Sequence, residues 1–168
     1  KRLTLNPIQE DDFIDINFTM KDYLKEIISS FREISKKNFN FNYDQYSNVK
    51  KITKSIEIVY GLRNFIGNAN KFSKETVYIT LKSDSEITEI IIEDDGDGYP
   101  KDVISKIGEP YLKSAEIQSK SKSGLGLGLF IGKTLLEKNF ASIEFKNSET
   151  RNGAEVIVKW NNKDLFNI

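Results

Sequence analysis

The sequence predicts a two-layer α/β sandwich of the α+β kind: a mixed sheet of five to six strands with about three helices on one face. Three features point there. Thr-, Val- and Ile-rich segments at 75–82 and 86–93 are separated only by Ser83-Asp84-Ser85, and segments 141–146 and 154–160 flank Asn152-Gly153, so both pairs read as antiparallel hairpins. Three longer segments place apolar residues at helical spacing. Strands and helices do not alternate as βαβ units, which argues against a wholly parallel sheet.

In chain order, residues 1–12 are polar and read as a linker, and 15–19 fit a short strand. Thr19 is a candidate N-cap for a helix over 20–35, where Leu24, Ile27, Ile28 and Phe31 share a face. Phe39, Phe41 and Tyr43 alternate with asparagines, as in a strand with one buried face. Residues 51–72 form the longest helical pattern and are followed by the first hairpin. Pro100 suits the first turn of a short helix ending near Gly108. The Lys/Ser-rich residues 113–123 have little to bury and read as a mobile loop. A helix over 125–139 then opens from glycines and leads into the second hairpin.

With 168 residues the chain is long enough for one domain with a real core. Lysine plus arginine equals aspartate plus glutamate at 25 each, so no basic excess favours nucleic acid or a membrane surface. The chain has no cysteine, which excludes disulfides and thiolate sites. It has no histidine, which excludes a histidine base, ligand or phosphoacceptor within it. No apolar run approaches the ~20 residues that cross a bilayer, and no signal peptide is expected within this stretch. Because it starts at Lys1, the chain is expected to be a piece of a longer protein.

Three segments carry the chemistry. In Asn64-Phe-Ile-Gly-Asn68-Ala-Asn-Lys71, the two asparagines and the lysine fall within roughly 60° on a helix wheel, and Val59, Leu62, Ile66 and Ala69 cluster roughly 140° away. One face can therefore pack on the sheet while a stripe presents two amides and an amine. An amide oxygen is a hard ligand suited to a magnesium ion already on phosphates, and the lysine is a point charge for a phosphate oxygen. A solvated polar face is the plain alternative.

In the second segment a buried strand runs directly into Asp94-Asp95-Gly96-Asp97-Gly98. A carboxylate at a strand end can accept a hydrogen bond from an exocyclic amine such as adenine N6, and flanking glycines let backbone approach a flat ring. An ordinary turn and a calcium loop are the rival readings; the calcium reading lacks the distal glutamate of an EF-hand. The third segment, Gly124-Leu125-Gly126-Leu127-Gly128-Leu129, places bare backbone N–H groups at a helix start, where the dipole favours an anion. It is neither a P-loop, since the position five before Gly132 is Leu127, nor a Gly-x-Gly-x-x-Gly dinucleotide turn. A flexible hinge is its plain alternative.

Taken in this order and spacing, the three segments resemble the ATP-binding catalytic domain of sensor histidine kinases, the Bergerat (GHKL) fold shared with type II topoisomerases, Hsp90 chaperones and MutL repair proteins. The resemblance covers roughly residues 15–160. Gly61-Leu-Arg-Asn-Phe, Ile107-Gly-Glu-Pro-Tyr111 and Gly128-Leu-Phe-Ile-Gly-Lys-Thr-Leu-Leu-Glu137 look most like the redox-responsive RegB/PrrB type. Tyr99 and Lys71 are less typical of that type.

The resemblance implies that residues 1–14 belong to a linker or a preceding helical hairpin and that 15–168 form the catalytic domain, with an ATP lid at about 100–123. It implies ATP and Mg2+ as cofactors, with Asn64 and Asn68 toward magnesium and phosphates, Lys71 toward phosphate and Asp94 on adenine N6. Gly96 and Gly98 would lie beside the ring, and Gly124, Leu125, Gly126, Leu127 and Gly128 would cradle phosphates. Tyr111 would precede the lid, and Lys113 would reach the γ-phosphate. The implied activity is protein-histidine kinase, transferring the γ-phosphate to a histidine on a separate dimerisation hairpin of the same protein, with a response regulator downstream. No direct contact with nucleic acid or membrane is implied for this domain, which would be cytoplasmic in a protein anchored in the bacterial inner membrane.

The ATPases of the superfamily place a glutamate where Asn64 stands, and an amide cannot take a proton from water, so hydrolysis is expected to be slow. A GHKL-type ATPase, or a nucleotide-binding regulatory module without kinase activity, is the alternative.

Overall fold

The computed structural model describes residues 18–44, 52, 55–102, 104–107 and 125–165. Helix α1 (Met20–Ile34) starts at Thr19, whose hydroxyl accepts from the Asp22 N–H while the Asp22 carboxylate accepts from the Thr19 N–H, a reciprocal capping box. Its buried face is Met20, Tyr23, Leu24, Ile27 and Ile28. Strand β1 (Asn38–Tyr43) follows, then helix α2 (Ile56–Phe72), strands β2 (Thr76–Ser83) and β3 (Ile87–Asp94), a single 3-10 turn at Ile104–Lys106, helix α3 (Leu125–Lys138), strands β4 (Ser142–Asn147) and β5 (Ala154–Asn161), and a closing helical turn α4 (Asn162–Leu165).

The five strands lie in the order β1-β2-β3-β5-β4. β1 runs parallel to β2, and the other three pairs are antiparallel, so the sheet is mixed as expected. Both hairpins form. The first is closed by Asp84, whose carboxylate accepts from the N–H groups of Glu86 and Ile87 at 2.8 Å each. Alternation sends Val77, Ile79, Leu81, Ile90, Ile92, Val156, Val158 and Trp160 to the helix side, where they join the buried faces of α1 and α2 in one core. In β3 the buried row is Thr88, Ile90, Ile92 and then Asp94. The strand period thus carries a carboxylate to a register position where a hydrophobe would be expected, and holds it between the layers.

Helices α2 and α3 meet through glycines. A Cβ at Gly61 would lie 2.5 Å from Leu136 Cγ, and one at Gly132 would lie 2.6 Å from Phe65 Cε1. Two side-chain-free positions let the helices approach until Leu136 and Phe65 fill the gap. The Gly132-Lys133-Thr134 triplet therefore serves packing.

Two boundaries differ from expectation. The central helix begins at Ile56 rather than 51: Ser55 caps it by accepting from the Ile58 N–H at 3.3 Å, and Ile52 instead forms an antiparallel bridge with Phe18. Of the strand read at 15–19, only Phe18, in that bridge, and Thr19 lie within the described residues. The short helix after Pro100 is one 3-10 turn among the described residues, closed by Ile107 N–H to the Ile104 carbonyl at 3.4 Å. The expected linker and the Lys/Ser loop at 113–123 lie outside the described residues.

Candidate functional site

Asp94 is the centre of the site. It is 2% exposed, and its Oδ1 accepts from the backbone N–H of Gly96 at 2.8 Å and of Ala154 at 3.3 Å. Oδ2 has no partner among the described residues. Burial is the dominant influence and lifts the carboxyl above its ordinary value, against the two N–H bonds and Lys37, which favour the charge; neighbouring Asp95 raises it further. The result is a fixed acceptor with one oxygen held by the protein and the other available to a donor.

The backbone around Asp94 tolerates no side chains. A Cβ at Gly96 would stand 2.1 Å from the Phe72 carbonyl oxygen, so this glycine lets the last turn of α2 close over the end of β3. Gly98 sits at φ +81°, in the left-handed region, with Asn147 Oδ1 2.7 Å from where a Cβ would be. Asn147 clamps the same turn by accepting from the Tyr99 N–H at 2.7 Å and donating to the Tyr99 carbonyl at 3.2 Å.

Asp95 faces elsewhere. Its two oxygens accept from the N–H groups of Lys74, Glu75 and Thr76 at 2.7–3.2 Å. Burial raises its carboxyl, but these bonds prevail and hold it below the ordinary aspartate value. The adjacent carboxylates are thus committed to different backbone segments, which removes the basis for a calcium loop. Among the described residues no cluster of acidic side chains suits a metal on its own.

The asparagine stripe of α2 runs toward this loop. Asn64 and Asn68 are half-buried and Lys71 is exposed, while Leu62, Ile66 and Ala69 are in the core, so the two wheel faces separate as expected. Val59, read with the apolar face, is half-buried against that core. Asn64 Nδ2 donates to the Tyr60 carbonyl at 2.8 Å, which leaves Oδ1 free to face α3; among the described residues that Oδ1 is the atom near a hypothetical Cβ of Gly128, at 3.7 Å. The start of α3 and the amide stripe of α2 therefore meet at van der Waals distance. Leu125 opens α3, Gly126 is buried, and the Leu127 side chain is 66% exposed. The first N–H groups of α3 have no partner within the helix, and the dipole favours an anion there.

The structure sets Gly96 against Asp94 and the end of α2, and Gly128 beside Asn64; Asn68 and Lys71 follow Asn64 along α2, Gly98 lies in the turn after Gly96, and Leu125, Gly126 and Leu127 precede Gly128 in α3. Tyr111, Lys113 and Gly124 lie outside the described residues. Sequence reasoning does not find Gly153, which reads only as a hairpin turn. A Cβ there would lie 2.2 Å from both the Asp94 carbonyl oxygen and Oδ1, so Gly153 is the position across which Ala154 reaches Asp94. The Asn152-Gly153 pair is the available signal, but nothing local links it to a residue 59 positions earlier.

Comparison with known proteins bears on the family and the fold. Residues 53–164, more than half of the chain, match the family described as "Histidine kinase-, DNA gyrase B-, and HSP90-like ATPase". The sensor histidine kinase RegB of Cereibacter sphaeroides is 43% identical over 97 residues, covering 55% of this chain and 21% of RegB. The sensor protein SrrB of Staphylococcus aureus is 33% identical over 100 residues, covering 58% of this chain and 17% of SrrB. The chain thus spans about a fifth of the relatives it matches. The nucleotide-free catalytic domain of the histidine kinase ThkA has the same fold, with a TM-score of 0.70 at 22% identity over 86% of this chain and 93% of that one. The chain therefore belongs to the histidine kinase-, DNA gyrase B- and HSP90-like ATPase family, and within it is similar to the corresponding part of RegB.

Proposed function

We propose that this domain binds Mg·ATP between α2, the end of β3 and the start of α3, and presents the γ-phosphate to a histidine on a separate helical hairpin. The observation that carries the reading is Asp94, a buried carboxylate at the end of β3 with one oxygen locked by two backbone N–H groups and the other available. In this reading Asp94 Oδ2 accepts from adenine N6, and Gly96 and Gly98 admit the ring. Lys71 and the first N–H groups of α3 hold phosphate oxygens. Tyr111 and Lys113 are assigned to the lid side on resemblance alone.

The donor set fits magnesium. Asn64 Oδ1 faces Gly128 near the start of α3 with its own amide nitrogen already engaged, and Asn68 has no hydrogen bond among the described residues. Bound there, the ion would neutralise phosphate charge. The chain's own residues then contribute positioning and charge, as a loose phosphoryl-transfer transition state requires. Asn64 cannot accept a proton from water, so transfer is favoured over hydrolysis.

The relatives are sensor kinases, so we assign the histidine-bearing hairpin and a membrane anchor to segments that would accompany this domain, and a response regulator to a downstream partner. Among the described residues no helix is long and apolar enough to cross a membrane. The test is incubation with γ-labelled ATP and magnesium, with and without a separately made histidine-bearing hairpin. Label on the hairpin is expected. Rapid free phosphate with no labelled protein refutes kinase function and favours the ATPase reading.

A further inference from the structure

The turn between β4 and β5 straddles the end of β3. On the helix side it supplies the Ala154 N–H and the bare Gly153 backbone to Asp94. On the outer side of the sheet it is tied down by two side chains. Ser148 Oγ donates to Glu93 Oε2 at 2.7 Å and itself accepts from the Arg151 N–H at 3.0 Å. The Arg151 guanidinium lies over the Tyr78 ring, 3.9 Å from its centroid. Tyr78 is the cross-strand partner of Glu93, so both anchors sit on the residues flanking Asp94 in the sheet.

Arg151 is an unusual choice for a mere turn. Its Nε is buried without a hydrogen-bond partner among the described residues, a state native proteins rarely tolerate without a use. Asn152, next to it, is held at φ 72°, in the left-handed region. Stacking on Tyr78 fixes where this strained turn sits, and hence where Gly153 and Ala154 meet Asp94 Oδ1 on the opposite side of the strand.

We propose that Arg151 is a positioning residue for purine recognition: stacked on Tyr78 on the outer face, it holds the 148–153 turn so that Gly153 and Ala154 orient the Asp94 carboxylate toward an exocyclic amine. The inference rests on the proposed adenine role of Asp94. Its signature is selective, because a displaced turn misdirects Asp94 while leaving α2 and the start of α3 in place.

The test compares magnesium-dependent binding of ADP with that of purine riboside 5′-diphosphate, which differs only in lacking the 6-amino group, by calorimetry on wild type, Arg151→Ala, Arg151→Lys and Tyr78→Leu. Wild type is expected to prefer ADP. Arg151→Ala and Tyr78→Leu should each lose about fivefold or more for ADP and leave the 6-deamino nucleotide within about twofold, and Arg151→Lys should restore most of the preference. Either variant alone carries the test if the other fails to fold. An undiminished preference in the variants, or equal losses for both nucleotides, overturns the proposal while the Asp94 assignment stands. Wild type binding the two nucleotides equally overturns the Asp94 assignment and this proposal with it.

Discussion

Replacing Asp94 by asparagine separates binding from stability. The amide of Asp94→Asn keeps an oxygen where Oδ1 is, so the N–H bonds from Gly96 and Ala154, at 2.8 and 3.3 Å, survive. At Oδ2 it places an NH2 donor against the N6 amine of adenine. The lost bond is charge-assisted and worth about 1.5–3 kcal/mol, so ADP should bind about 10- to 150-fold more weakly. Stability should move the other way. Because burial lifts the Asp94 carboxyl above its ordinary value, the folded protein holds that proton more tightly than the unfolded chain. Ionisation then costs stability as pH rises from the ordinary aspartate value through the lifted one. Above that window D94N should melt at or above the wild-type temperature. Calorimetric titration with ADP and thermal melts from about pH 4 to about pH 8 read both quantities. Unchanged ADP affinity, or a lower melting temperature at neutral pH, refutes the reasoning.

Four further outcomes are expected. Gly153→Ala forces a Cβ to within 2.2 Å of Asp94 and should cost about 1–3 kcal/mol in urea unfolding as well as most ADP binding. Gly132→Ala wedges α2 from α3 against Phe65 at 2.6 Å and should lower stability by a similar ~1–3 kcal/mol, read from the urea midpoint. Asp95 is held below its ordinary value, so its contribution is present above that value and lost as pH falls through the depressed one; Asp95→Ala should be less stable than wild type at neutral pH, with the gap closing in acid melts. Ile131 is 37% exposed on α3, one helical turn beyond the exposed Leu127 at the cleft; Ile131→Ser should leave ADP affinity unchanged and slow transfer to the hairpin about tenfold if that apolar edge meets the acceptor.

Most of the fold is legible in the sequence because its signals are local. Strand alternation, the Asp84 turn, the Thr19 cap and the apolar stripe of α2 each depend on neighbours within a few positions. The start of α2 is not, because Ile52 continues the helical apolar pattern while its backbone pairs with Phe18, a contact 34 positions away. The site is legible where residue type is diagnostic: Asn64 and Asn68 at one helical turn, and Asp94 at the end of a β-branched run. Gly153, Asn147 and Asp95 are not, because their roles are steric or structural and exist only once β5 lies against β3 and α2 ends over Gly96. A glycine in a hairpin turn reads the same whether it abuts a buried carboxylate or open water.

The glycine seam between α2 and α3 bears on how the cleft can move. Gly61 and Gly132 leave no cushion of flexible side chains between the helix backbones, and Phe65 and Leu136 occupy what space remains. The amide stripe on one helix and the start of the other are therefore set at a fixed gauge. Any ligand held between them would meet a spacing decided at folding. Adjustment to the cargo is left to segments outside that seam, and a change at either glycine would alter the gauge for every ligand at once.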